Sequence, residues 1–206
     1  MMNVSSSHDT PRLLTDFFNP NKYKFKASPN DDPLYKTGKP DQETYQRLKL
    51  YLVHLFTSIG APQIWNGEEM GMWGADDPHP RKPLWWKGLN FEPETRNNVQ
   101  PGTKMFDPVG FNQNQFDWYQ KLIKIRTNNP VLSTGDIEFI ITDGKKLAYK
   151  RADQRNEILV IFNLESTTEV FNLPEKSKYS NLLNNDKNIA RKVIIPPLSS
   201  VILKKM

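Results

Sequence analysis

Gly60-Ala61-Pro62-Gln63-Ile64-Trp65-Asn66-Gly67-Glu68-Glu69-Met70-Gly71-Met72 is the stretch on which the fold turns. Its first part is a short apolar run closed by Asn66-Gly67, the pattern of a buried strand entering a loop. Ahead of it, residues 41–58 carry Tyr45, Leu48, Leu52, Leu55 and Phe56 at helical spacing, and Gly60 stops that helix. Behind it comes a long loop rich in Pro, Gly, Asn and Trp. A second helical stretch follows over residues 115–128, with Phe116, Tyr119, Leu122, Ile123 and Arg126 along one side and Asn129-Pro130 at its end. Helix, strand, long loop, helix is the order of βα units in a parallel sheet. In a (β/α)8 barrel, loops at the C-terminal ends of the strands build the active site.

Beyond Pro130 the pattern changes to short strands separated by turn signals. Strands are expected over residues 137–142, 147–151, 158–164, 169–173, 192–195 and 200–203, with hairpin turns at Asp143-Gly144 and from Asp153 to Asn156. That spacing predicts a small antiparallel β-sandwich. The expected fold class is therefore α/β plus β. Residues 1–130 form a barrel-type segment and residues 131–206 an all-β domain.

Three clusters carry residues suited to chemistry. Ser7-His8-Asp9-Thr10-Pro11-Arg12 reads locally as a helix start, with Asp9 or Thr10 as the cap and Pro11 in the first helical position. A second reading, which the first does not exclude, is a strand mouth, where a carboxylate and an imidazole reach a sugar's hydroxyls and the charge developing on its ring. Glu68-Glu69 offers paired carboxylates, but neighbours on an extended chain point to opposite faces. One site therefore does not use both, and Glu69 is expected in a structural or supporting place. The third cluster runs from Trp73 through Asp76, Asp77, Pro78, His79 and Arg81 to Trp85 and Trp86. Its indoles are either core residues or flat faces for sugar rings, beside Asp and Arg side chains that bond hydroxyls. Trp118, on an amphipathic helix, reads as core.

Composition narrows the classes. The 206 residues include 28 basic and 23 acidic side chains, a net charge of +5, and no cysteine. The basic residues are scattered rather than clustered, which argues against nucleic acid as a partner. No run approaches the roughly 20 apolar residues of a membrane span, so no membrane partner is expected. His8, His54 and His79 show no metal-ligand spacing, and neither phosphate-cradling glycine motif is present, so neither a metal nor a cofactor is expected. The absence of cysteine suits a cytoplasmic or a periplasmic location equally.

In order along the chain, these clusters resemble the α-amylase family, glycoside hydrolase family 13. Ser7-His8-Asp9-Thr10-Pro11-Arg12 is similar to its seventh-strand segment, in the form common among neopullulanases and cyclomaltodextrinases. Gly60-x-Pro62-x-x-x-x-Gly67-x-Glu69-x-Gly71 resembles its eighth-strand segment. Asp77-Pro78-x-x-Arg81 and Pro83-Leu84-Trp85-Trp86 resemble the loop that follows, and the stretch ending Ile195-Pro196-Pro197-Leu198-Ser199-Ser200-Val201-Ile202-Leu203 resembles the end of the family's C-terminal domain.

The resemblance implies the last two βα units of a (β/α)8 barrel followed by the sandwich. It also implies retaining hydrolysis of α-1,4-glucosidic bonds in an α-glucan or maltooligosaccharide. Asp9 matches the third of the family's three carboxylates, and His8 matches the neighbour that bonds the same sugar. Asp77 and Arg81 match positions that hold the next sugars. Arg12 and Trp73 complete the expected substrate-binding set. Strands one to six, with the nucleophile and acid/base, are expected to precede residue 1. This stretch alone is therefore expected to be inactive, and to self-associate or pair with an N-terminal half. A non-catalytic glucan-binding module and a purely structural piece are the alternatives.

Overall fold

The computed structural model describes residues 1–96, 104–175 and 177–206. The described elements run β1 (Met2–Asn3), α1 (Leu13–Phe18), a 3-10 turn (Lys24–Lys26), α2 (Gln42–Thr57), β2 (Ala61–Pro62), β3 (Glu94–Arg96), β4 (Met105–Asp107), α3 (Gln113–Thr127), α4 (Val131–Thr134), β5 (Asp136–Asp143), β6 (Lys146–Ala152), β7 (Glu157–Asn163), β8 (Glu169–Asn172), β9 (Tyr179–Asn181), β10 (Lys192–Ile195) and β11 (Ser199–Lys205). They gather into two compact units. One comprises Met1, Lys49–Ala61 and Gln120–Met206; the other comprises Met2–Leu48 and Pro62–Tyr119.

The first unit is built on a five-stranded antiparallel sheet in the order β5-β6-β7-β11-β9, with β8 and β10 forming a separate antiparallel pair. Alternation along the strands sorts the side chains. Ala148, Leu159, Ile161, Val201 and Leu203 turn to one side, where Leu173, Tyr179, Val193 and Ile195 complete a buried cluster. Between those positions Tyr149, Ile158, Val160 and Ile202 are buried as well, so β7 is apolar on both faces. Tyr149 and Phe162 there meet His54 of α2 edge to face, at ring separations of 5.7 and 6.3 Å. The turns at Asp143-Gly144 and Asp153 to Asn156 join hairpins as expected, and Asp153 Oδ1 accepts the amides of Arg155 and Asn156 at 2.8 and 2.7 Å.

Two guanidiniums finish α2. A helix leaves its last carbonyls without intrahelical donors. Arg126 of α3 donates to Phe56 O at 2.7 Å, Ser58 O at 3.2 Å and Gly60 O at 2.6 Å. Arg151 of β6, fully buried, donates to Thr57 O at 2.5 Å, Leu132 O at 2.8 Å, Gly135 O at 2.7 Å and Asp136 O at 3.2 Å. Positive charge at a helix C-terminus also meets its dipole favourably.

In the second unit, Asp41 caps α2, its Oδ1 accepting the Thr44 amide at 2.8 Å. The amide of Gln63 donates to Asn3 O at 3.1 Å beside β1. The buried strand expected from Ala61 to Trp65 is shorter than the sequence suggests. β2 ends at Pro62, and Gln63, Ile64 and Trp65 are only half-buried. Among the described residues β2 pairs with β1 alone, and a ladder on one side supports less regular strand. The antiparallel pair of β3 and β4 was not expected. It is clamped by Arg96 on the buried Asp107, which also accepts the Lys39 amide at 2.8 Å. β9 likewise went unforeseen, because three residues in a polar run carry no periodicity.

Candidate functional site

The chain leaves β1 into a tight turn. Ser7 donates its amide to Thr10 Oγ1 at 3.0 Å, and its own Oγ accepts the Asp9 amide at 3.2 Å. His8 and Asp9 stand exposed on this turn. The expected helix start at Asp9, Thr10 and Pro11 is corrected here: α1 begins at Leu13, with Arg12 at the N-cap and no side-chain cap of its own. The donor at its first residue is met from far along the chain instead, by Glu68 Oε1 at 3.2 Å from Leu13 N. A tertiary acceptor replaces the local one, so the cap is invisible to local sequence rules.

Four of the expected residues meet at the turn. His8 Nε2 lies 3.1 Å from Asp9 Oδ2. Arg81 Nη2 donates to Asp9 Oδ1 at 2.8 Å, while its Nε donates to His8 O at 3.1 Å and lies 3.0 Å from Asp77 Oδ1. A guanidinium therefore bridges two carboxylates, one of them paired with an imidazole. The Asp9 side chain is 59% exposed, and exposed ion pairs of this kind contribute only about 0–1 kcal/mol to stability. The cluster's value is positional, since it presents charged donors and acceptors together at a solvent-facing surface. Arg81 reaches it through a compact return of the chain, in which His79 N bonds Asp76 O and Arg81 N bonds Pro78 O, each at 3.1 Å. Gly74 allows the return, because a Cβ there would lie 2.8 Å from His79 O.

Arg12 and Glu68 lie beneath that surface, each 1% exposed and 3.9 Å apart. Arg12 donates to Pro80 O at 3.2 and 3.0 Å and to Asn66 O at 3.1 Å, and it stacks 3.9 Å from the centre of the Trp65 ring. Burial lowers its pKa, opposed by the Glu68 charge. Its guanidinium holds the 66–80 loop from below and does not stand with Asp9. Gly67, at φ +96°, makes room, since a Cβ would come within 2.9 Å of Arg12 Nη1. Burial pushes the Glu68 carboxyl up to about 7 against the pull of Arg12. Glu69 folds back on its own turn, accepting the Gly67 amide at 2.9 Å.

The tryptophans separate by depth. Trp73 and Trp85 are each 2% exposed and meet edge to face at 4.5 Å, so Trp73 is packed away from the surface its sequence context suggested. Lys82 lies over both rings, 5.9 and 5.3 Å away, and is held by Glu94 at 2.6 Å. Trp86 is 53% exposed. Sequence reasoning passed over Glu68. The two carboxylates do part company, but in a turn over residues 66–71 rather than by alternation along an extended chain, and nothing local says which of them is buried. Among the described residues no group of acidic and histidine side chains is placed to hold a metal ion, and no helix is long and apolar enough to cross a membrane.

No protein-family model matches the chain. Cyclomaltodextrinase of Thermoanaerobacter pseudethanolicus is 30% identical over 206 residues, covering 99% of this chain and 28% of the relative. Alpha-amylase 3 of Dictyoglomus thermophilum is 32% identical over 163 residues, covering 72% of this chain and 32% of the relative. The chain thus spans less than a third of the length of these relatives. Among solved structures, the α-amylase from Geobacillus thermoleovorans complexed with acarbose superimposes with a TM-score of 0.65 at 19% identity, over 97% of this chain and 37% of that one. The maltogenic amylase from S. marinus gives 0.61 at 20% identity, over 97% of this chain and 21% of that one. At those identities the likeness is one of fold, and the C-terminal sheet domain fits it.

Proposed function

We propose that this chain, a homologue of the C-terminal part of α-amylase-family (glycoside hydrolase family 13) enzymes of the cyclomaltodextrinase and neopullulanase kind, forms one wall of the active site of a retaining α-glucan hydrolase. The observation that carries the reading is the meeting of Asp9 with Arg81 across 72 positions of sequence, with His8 and Asp77 beside them. Residues 1–130 are read as the last two βα units of the barrel and residues 131–206 as the C-terminal β-domain.

The chemistry follows from charge. Cleavage of a glycosidic bond passes through an oxocarbenium-like transition state, in which the ring gains positive character. A carboxylate fixed nearby stabilises that state more than the ground state, and so raises the rate rather than the affinity. Asp9 has that role, with His8 donating to a hydroxyl of the same sugar and Asp77 and Arg81 holding its neighbour. Arg81 keeps the Asp9 carboxylate oriented until a sugar hydroxyl takes over one of its contacts. The nucleophile and the acid/base are assigned to other parts of the protein, so the 206 residues by themselves bind sugar without cleaving it.

Isothermal titration of the chain with maltoheptaose tests the reading. Saturable heat, lost in Arg81→Ala and Asp77→Ala variants that melt like the parent, is expected. Binding that ignores both substitutions would remove this cluster from the site, and no binding at all would leave a structural piece.

A further inference from the structure

We infer that Glu68 is a positioning residue: one of its carboxylate oxygens closes the loop that presents His8 and Asp9. The inference rests on the sugar-site reading for its purpose, but its geometry stands apart from it. Glu68 Oε1 accepts the Ser6 hydroxyl at 3.1 Å and the Leu13 amide at 3.2 Å. Those two donors flank residues 7–12, so a single atom ties both ends of the turn on which His8 and Asp9 stand. The tie is long-range, 62 and 55 positions from its partners, and Ser6 and Glu68 are both buried.

A second feature points the same way. Among the described residues, Glu68 Oε2 has no hydrogen-bond partner although it is buried. A buried polar atom left unpaired costs free energy, and an apolar side chain of similar volume would fill the space without that cost. What a hydrocarbon cannot do is accept from Ser6 and Leu13 together. The same reasoning separates Glu68 from Glu69, whose carboxylate reaches only its own turn. Glu68 also lies against Arg12, which grips the carbonyls of Pro80 and Asn66. Through that contact the Asp9 turn and the loop that delivers Arg81 share one buried anchor.

The test uses amide NMR spectra of the full chain together with maltoheptaose titration. Glu68→Gln keeps an acceptor oxygen and should leave the His8, Asp9 and Leu13 amide signals near their parent positions, with affinity within about twofold. Glu68→Leu keeps the volume alone; it should displace all three signals and weaken binding about tenfold or more, as loss of a buried tie predicts. Should Glu68→Leu fail to fold, Ser6→Ala cuts one tie without touching the buried charge, and should move the His8 and Asp9 signals while Leu13 holds. Parent-like His8 and Asp9 signals in a folded Glu68→Leu, or in Ser6→Ala, would overturn the inference. If the signals respond as expected but the parent chain binds no maltoheptaose, the sugar reading fails and the positioning role stands.

Discussion

Arg81 Nη2 lies 2.8 Å from Asp9 Oδ1, and the same guanidinium's Nε lies 3.0 Å from Asp77 Oδ1. The pairing makes the Asp9 carboxylate the residue on which the functional reading stands or falls. In a protein carrying the whole barrel, Asp9→Asn should lower kcat on the order of 100-fold or more, as other single electrostatic stabilisers do. KM should change little, the signature of a group acting mainly in the transition state. Steady-state kinetics on a maltooligosaccharide will show it; a variant within a few-fold of the parent would return Asp9 to a surface ion pair.

The depth of the tryptophans leads to a split outcome. Trp85→Ala should destabilise by about 3–5 kcal/mol, as removal of a large buried ring does. Trp86→Ala should stay within about 0.5 kcal/mol, as exposed substitutions do. Urea unfolding of both variants decides this. In the parent, acrylamide should quench Trp86 well before Trp73 and Trp85, and a fluorescence response to sugar should come from Trp86.

Arg151 offers a stability test that has no bearing on the sugar site. Its fully buried guanidinium serves four carbonyls, at the end of α2, in α4 and where α4 passes into β5. Arg151→Leu leaves those acceptors without it and should cost about 3–5 kcal/mol, the range for breaking a buried polar network. A urea midpoint close to the parent's would show that other donors can replace it.

Glu68 should make stability depend on pH in an unusual direction. Burial raises its carboxyl from 4.5 to about 7, with Arg12 opposing the shift and Glu69 adding to it. A raised folded value means the native state binds the proton more tightly than the unfolded chain, so this group's contribution falls as pH rises between those two values and is level above them. Ordinary carboxylates do the reverse. Thermal unfolding from pH 4.5 to 7 should show a smaller loss of stability with rising pH in Glu68→Gln than in the parent. Parallel pH profiles would place the Glu68 titration outside this window.

Much of this protein was legible before folding. Leu48, Leu52, Leu55 and Phe56 recur at the helical period and are buried; Leu159 and Ile161 recur at the strand period and join the sheet's core. Periodicity belongs to the chain itself, because 3.6 and 2 residues per repeat put one face inward wherever the element lies. The turn bearing His8 and Asp9 was not legible in this way, since its short polar residues and Pro11 read locally as a helix start, whereas α1 begins at Leu13. What the chain could not declare alone was the fate of side chains in irregular segments. Arg12 looked like a surface contact and is buried; Trp73 and Trp85 lie inside while Trp86 lies outside; and Glu68, indistinguishable from Glu69 by sequence, caps a helix 55 positions away. A loop has no repeat to impose a face, so burial there is decided by distant partners: the carbonyls of Pro80 and Asn66 for Arg12, the hydroxyl of Ser6 and the amide of Leu13 for Glu68. Only the tertiary structure brings those partners within hydrogen-bonding distance.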